Sequence, residues 1–254
     1  MAELKALLFD VDGTLADTER DGHRIAFNQA FADAGLDWDW SVDIYGELLS
    51  VTGGKERIRH YIDHYLEGEF SVSGDLSAYI AELHQNKTRH YLELLQAGSI
   101  PLRPGVERLL NEARDAGLIL GISTTTTPAN VTYLLQATLG EASLGWFKVI
   151  AAGDIVPAKK PAPDIYTYAM QQLGLTAESC IAFEDSRNGI LSSRAAGLKT
   201  IVTVNDYTRD DDFREAVLVL DQLGEPGAGC QVLQGEMPGA EYLGVDQVRQ
   251  LFDQ

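Results

Sequence analysis

Cysteine, long apolar runs and positive charge are all scarce in this 254-residue chain. Two cysteines, Cys180 and Cys230, are too few for a disulfide framework. Cys180 sits in the apolar run CIAFE and reads as a buried thiol. No segment approaches the roughly 20 consecutive apolar residues that a membrane-spanning helix needs. The chain passes almost at once into ALLFDVD, without the charged start and apolar region of a secretory signal. A reducing, cytoplasmic setting is the expectation. Lysine and arginine number 20 against 38 aspartates and glutamates, a net charge of −18. That surface repels nucleic acid and anionic membranes, so neither is an expected partner. An anionic substrate would need local compensation, from a metal or from a few placed cations. Internal repeats and low-complexity tracts are also missing.

What is present is a recurrence of short apolar, β-branched-rich runs. They are KALLFDVD (5–12), LILGIST (118–124), KVIAAGD (148–154), CIAFED (180–185), TIVTV (200–204) and AVLVL (216–220). Continuous rather than alternating apolar character predicts strands covered on both faces. Helical patterns ending at glycine lie between them, at 104–117, 163–174 and 187–197. Strand, helix, strand at this spacing predicts an α/β fold, a Rossmann-like core whose sheet is parallel with right-handed crossovers. Between about 18 and 92 the alternation stops. Helical stretches at 24–35, 43–49, 55–68 and 77–98 predict an all-helical domain inserted after the first strand. The core would then comprise 1–17 and 93–254, and the insertion 18–92. In the tail, GEPGAGCQVLQGEMPG reads as loop and VDQVRQLFD (245–253) as a terminal helix.

The strand ends carry the chemistry. In an open parallel sheet, ligands bind beyond the carboxyl ends of the strands. The first run ends in Asp10 and Asp12, the second in Ser123 and Thr124, the fourth in Glu184 and Asp185. Asp154 follows the third, with Lys160 a short loop beyond. Parallel strands would bring these groups to one rim. Carboxylates gathered there repel unless a cation neutralises them. An all-oxygen ligand set favours a hard cation, Mg²⁺ when phosphate is also bound. Asp10 and Asp12 are two apart, so an extended backbone points both to one side. One can then be nucleophile and the other acid and base. The plain alternative is that Asp12-Gly13 only makes a turn.

DVDGTLADTE, ISTTT, KKPAPDIY and FEDSRNGI resemble the four ordered motifs of the haloacid dehalogenase-like superfamily. The helical insertion sits where that family carries its helical cap. The resemblance implies Asp10 as nucleophile and Asp12 as general acid/base. It implies Ser123 and Lys160 as the phosphate-binding pair. Asp10, the Asp12 backbone carbonyl, Glu184 and Asp185 are implied as the Mg²⁺ ligands. Aspartate at position 12 favours phosphoryl transfer within that superfamily. The leaving alkoxide needs a proton and the attacking water must lose one.

The cap should select the substrate. Within LLSVTGGKERIRHYI (48–62), Gly53 and Gly54 precede Lys55, Arg57 and Arg59. Two glycines before a helix expose backbone N–H groups, and a helix N-terminus favours an anion. In so acidic a chain this basic cluster reads as a site for a second phosphate. The alternative is a glycine-ended loop and a solvated helix face. A nucleotide P-loop is excluded, since its earlier glycine would fall at Leu49 and Glu56 follows the lysine. His60 and His64 share a helix face without a zinc-protease glutamate. His23 follows the hinge and is open to either substrate positioning or packing. The segments ERDGHR, which includes Glu19 and His23, and GGKER resemble the CbbY-type branch. That branch acts on xylulose-1,5-bisphosphate, an inhibitor of the carbon-fixing enzyme of the Calvin cycle. β-Phosphoglucomutase shares the core motifs. The expected activity is therefore a Mg²⁺-dependent phosphatase of a small phosphorylated sugar. A phosphosugar mutase and a non-catalytic phosphosugar-binding protein stay open as alternatives. Glu19, His23, Gly53, Gly54, Lys55, Arg57 and Thr124 are the expected substrate contacts. Oligomeric state is not legible.

Overall fold

The computed structural model describes residues 3–66, 68, 70–98 and 100–254. The chain divides into two compact units, one of Met1–Asp17 with Pro101–Gln254 and one of Thr18–Ile100. The first is built on a seven-stranded sheet in the order β3-β2-β1-β4-β5-β6-β7. Its strands are β1 (Ala6–Phe9), β2 (Ile119–Thr124), β3 (Phe147–Ala152), β4 (Cys180–Glu184), β5 (Lys199–Thr203), β6 (Leu218–Leu220) and β7 (Val232–Gly235). The first six run parallel. β1 and β4 are buried at every residue, which is why their runs are apolar without alternation.

β7 corrects the reading of the tail as loop, and it makes the sheet mixed, because it pairs antiparallel with β6. Asp221 folds the chain back. Its backbone N–H donates to the Gln231 carbonyl at 3.1 Å, and its side chain accepts from the Gln231 N–H at 2.7 Å. As a largely exposed edge strand, β7 has no need of the apolar run that marks the others.

The helices of this unit explain their own limits. In α5 (Val106–Asp115), Val106, Leu109, Leu110 and Ala113 form the buried stripe. α6 (Pro128–Leu139) was not foreseen from the sequence. Thr127 caps it by accepting from the Asn130 N–H, and proline stands at its first turn. The helices α7 (Asp164–Leu173), α8 (Arg187–Ala195) and α9 (Val245–Asp253) follow. Ser186 caps α8 through the Gly189 N–H, immediately after the acids that end β4.

The second unit is helical, as its patterning implies. Its helices, placed before α5 in the chain, are α1 (Arg24–Asp33), α2 (Val42–Leu48), α3 (Gly54–Tyr65) and α4 (Leu76–Gln96). A five-residue π-helical turn, Glu19–His23, leads into α1. The core of this unit is aromatic. Trp40 meets Phe27, Phe31 and Tyr61 at ring separations of 4.7, 4.9 and 5.4 Å. α4 runs on to Gln96, so the unit ends at Ile100 and not near residue 92.

Candidate active site

Asp10 is the first residue past β1, and the parallel register decides its neighbours. Phe9 pairs with Ile122 of β2 and with Phe183 of β4. The next residues along, Asp10, Ser123 and Glu184, therefore come side by side at three adjacent strand ends. β1 is also where the strand order reverses, the place where open parallel sheets bind ligands. The stacked rings of Phe9 and Phe183, 4.5 Å apart, reinforce that register. Lys160 enters from the β3–α7 connection. Its Nζ donates to Asp10 Oδ1 at 2.6 Å and to Glu184 Oε1 at 2.7 Å.

Asp10, Glu184 and Asp185 each bring a carboxylate oxygen within 4.8 Å of the others. All three are buried. Two unit charges that far apart repel by about 3 kcal/mol at an effective dielectric near 20. One ammonium cannot offset three such carboxylates. Burial pushes the Asp10 carboxyl up to about 7; Lys160 opposes the rise, and Glu184 and Asp12 add to it. Burial, followed by the charges of Asp10 and Glu184, pushes Asp185 well above the carboxylate range. Burial alone would lower Lys160, but Asp10 and Glu184 reverse that and keep it protonated.

The trio fits a divalent cation. Its donors are all oxygen, which suits a hard metal. The buried Oε2 of Glu184 has no hydrogen-bond partner among the described residues. Leaving a buried acceptor unpaired costs about 1–3 kcal/mol, more for a charged group. A cation held by Asp10, Glu184 and Asp185 would remove that cost. Two buried hydroxyls, Ser123 Oγ and Thr14 Oγ1, are likewise without partners among the described residues, and both can donate to an anionic oxygen. Thr124, beside Ser123, accepts from the Thr126 N–H at 3.3 Å. Asp12 is half-buried in the tight loop after β1, where the Gly13 N–H donates to the Ala16 carbonyl at 2.8 Å. Asp154 is exposed and pairs with Lys159, apart from the trio.

A supporting set went unread in the sequence. Tyr166 of α7, fully buried, donates its hydroxyl to Glu184 Oε1. Asn205 donates to Asp185 Oδ2 at 2.7 Å. Arg103 is buried and donates to the backbone carbonyls of Gly13, Thr203, Val204 and Asp221, so one guanidinium ties the loop after β1 to the segment after β5. Arg103 comes from IPLRPGVERLL, where it resembles any charge before a helix. Nothing local marks it as buried.

Within the helical unit, Glu19 accepts from the Tyr45 hydroxyl at 2.5 Å. Tyr45 in turn accepts from Arg57 at 2.9 Å, and Arg57 Nε donates to the Leu48 carbonyl at 3.1 Å. Arg57 is thus engaged inside its own unit. His23 is buried, lies 4.0 Å from the Tyr91 ring, and has Nδ1 at 2.8 Å from Lys87 Nζ. Lys87 had a signal: it interrupts the apolar stripe Ile80, Leu83, Tyr91, Leu95 of α4 at a core position. Gly53 begins α3 at φ +101° with no side-chain cap. A Cβ on Gly54 would lie 2.4 Å from His84 Nε2, so this glycine also answers a packing need. Lys55 is half-buried in the first turn of α3.

Residues 4–197 match the haloacid dehalogenase-like hydrolase family. The chain is 47% identical to the plasmid-borne protein CbbY of Cupriavidus necator over 243 residues, 96% of this chain and 94% of that one. Among solved structures, CbbY from Rhodobacter sphaeroides in complex with phosphate is similar at a TM-score of 0.80 and 45% identity, over 86% of this chain and 94% of that one. A mutant of the same protein in complex with xylulose-(1,5)bisphosphate gives the same TM-score at 44% identity, with the same coverage.

Proposed function

The chain belongs to the haloacid dehalogenase-like hydrolases, and on that premise we propose that it is a Mg²⁺-dependent phosphatase that converts xylulose-1,5-bisphosphate to xylulose 5-phosphate. The observation that carries the reading is Lys160 bridging Asp10 and Glu184 inside a buried group of three acids. The xylulose-(1,5)bisphosphate complex of the R. sphaeroides relative supports the choice of sugar.

The reaction divides among this chain's residues. Asp10 attacks phosphorus and the bond to the sugar oxygen breaks, leaving an aspartyl-phosphate. Asp12 protonates the departing alkoxide, then takes a proton from the water that attacks the aspartyl-phosphate and frees Asp10. Lys160 and Ser123 hold phosphoryl oxygens as charge shifts among them. Mg²⁺ bound by Asp10, Glu184 and Asp185 would supply positive charge that lets a carboxylate approach an anion. Lys55 and the start of α3 would hold the phosphate that is not transferred. We place the reaction in the cytoplasm, a reading that two unpaired cysteines support.

The test is a panel of phosphorylated sugars assayed for free phosphate with and without Mg²⁺. Xylulose-1,5-bisphosphate should be turned over fastest, and chelation should stop the reaction. Asp10→Asn should fold and lose turnover, because an amide cannot form the aspartyl-phosphate. An isomeric sugar phosphate appearing without free phosphate would make the protein a mutase. Binding without turnover on every sugar would make it a phosphosugar-binding protein.

A further inference from the structure

Glu184 gives one oxygen to the protein and keeps the other back, and a core tyrosine is part of the reason. Tyr166 is the third residue of α7, and it belongs to the apolar cluster that includes Leu8, Ala151, Ala169 and Ala182. A phenol in such surroundings needs an acceptor. It finds Oε1 of Glu184, to which Lys160 Nζ also donates at 2.7 Å. Oε1 is held twice. Oε2 is equally buried and has no partner among the described residues. Lys160 is shared with Asp10, so its pull on Glu184 has a competing direction. The hydroxyl of Tyr166, fixed by the packing of its ring, is the donor that can hold the carboxylate in one rotation. Room for Oε2 is also specific: a Cβ on Gly189 would lie 1.8 Å from it.

We propose that Tyr166 is a positioning residue of the cation site: its hydroxyl anchors Oε1 of Glu184 so that Oε2 is presented to the metal. The proposal rests on the cation reading above. A tyrosine that only packs makes the opposite prediction, since Tyr166→Phe would then alter stability and leave metal affinity alone. Partners that orient a metal ligand typically change metal affinity 10- to 100-fold when lost.

The experiment is calorimetric titration of Mg²⁺ into metal-free wild type and Tyr166→Phe, with thermal unfolding of each recorded with and without the metal. Tyr166→Phe should fold and bind Mg²⁺ about 10- to 100-fold more weakly. Its kcat at saturating Mg²⁺ should fall by less than its Mg²⁺ affinity. Equal affinity in the two proteins overturns the proposal, whatever the metal-free Tm does. If the wild type itself takes up no Mg²⁺, the cation reading fails and this proposal with it. Tyr166→Met fills the space with a flexible side chain and no hydroxyl, and it takes the place of the phenylalanine variant should that not fold. If neither folds, Tyr166 is a structural residue and the proposal is overturned.

Discussion

At the scale of single residues, two glycines make room that no side chain could. Gly13 turns the loop after β1 at φ +84°, and a Cβ there would sit 2.2 Å from Asp185 Oδ2. Gly189 is the third residue of α8, and its absent Cβ leaves space for Oε2 of Glu184. Gly189→Ala should therefore displace the carboxylate. Overpacking of this kind costs about 1–3 kcal/mol. Thermal unfolding should report that loss, and Mg²⁺ titration should report a larger one, since the displaced atom is a candidate ligand. Wild-type Mg²⁺ affinity in Gly189→Ala would remove Glu184 from the ligand set. The closeness of Asp10, Glu184 and Asp185 was legible, because each acid ends an apolar run and parallel strands bring their ends together. Tyr166, Asn205 and Arg103 were not. Their roles depend on contacts with residues 18, 20 and 90 or more positions away in the chain, and no local pattern encodes such a distance.

At the scale of elements, the register of β1 on β4 sets the electrostatics. It forces acids on both strand ends into proximity, and burial then holds Asp10 at about 7. The consequence for pH has a definite sign. A carboxyl whose folded-state pKa is raised above its unfolded value favours the fold at low pH, and that contribution is lost as pH rises through the folded value. The metal-free protein should thus lose stability as pH rises from about 4 to about 7, more than Asp10→Asn does. Protons compete with the cation for Asp10, so Mg²⁺ affinity should weaken as pH falls through about 7. Calorimetry in two buffers of different ionisation enthalpy should register proton release on Mg²⁺ binding. Affinity that does not change over this range would mean that Asp10 is already ionised without the metal. Six strands were legible because burial on both faces demands unbroken apolar runs. β7 escaped because an exposed edge strand carries no such demand. α6 escaped because TTTTPAN, its threonine-rich approach and first turn, has the composition of a loop.

At the scale of the whole molecule, the governing fact is a net charge of −18. Its field opposes the approach of any anionic substrate, so binding must come from cations placed locally. Lys160 supplies one in the sheet unit. In the helical unit a basic cluster stands at the start of α3. Arg59 is paired with Asp63 at 3.0 Å, and Arg57 is buried against Leu48 and Tyr45. Lys55, half-buried in the first turn of α3, stands where a helix N-terminus favours an anion, and the proposed contact with the second phosphate falls to it. Removing one charge-assisted contact costs roughly 1.5–3 kcal/mol. Lys55→Ala should accordingly lower kcat/KM for the bisphosphate by about 10- to 150-fold, at about 1.4 kcal/mol per tenfold. A sugar monophosphate, which lacks the distant group, should lose much less. The ratio of the two losses separates a phosphate clamp from a general effect on the helical unit, which would slow both substrates alike. Equal losses would end the assignment of the second phosphate to α3. Binding energy from that phosphate would then have to come from elsewhere in the chain, and the four threonines at 124–127 would be the next residues to substitute.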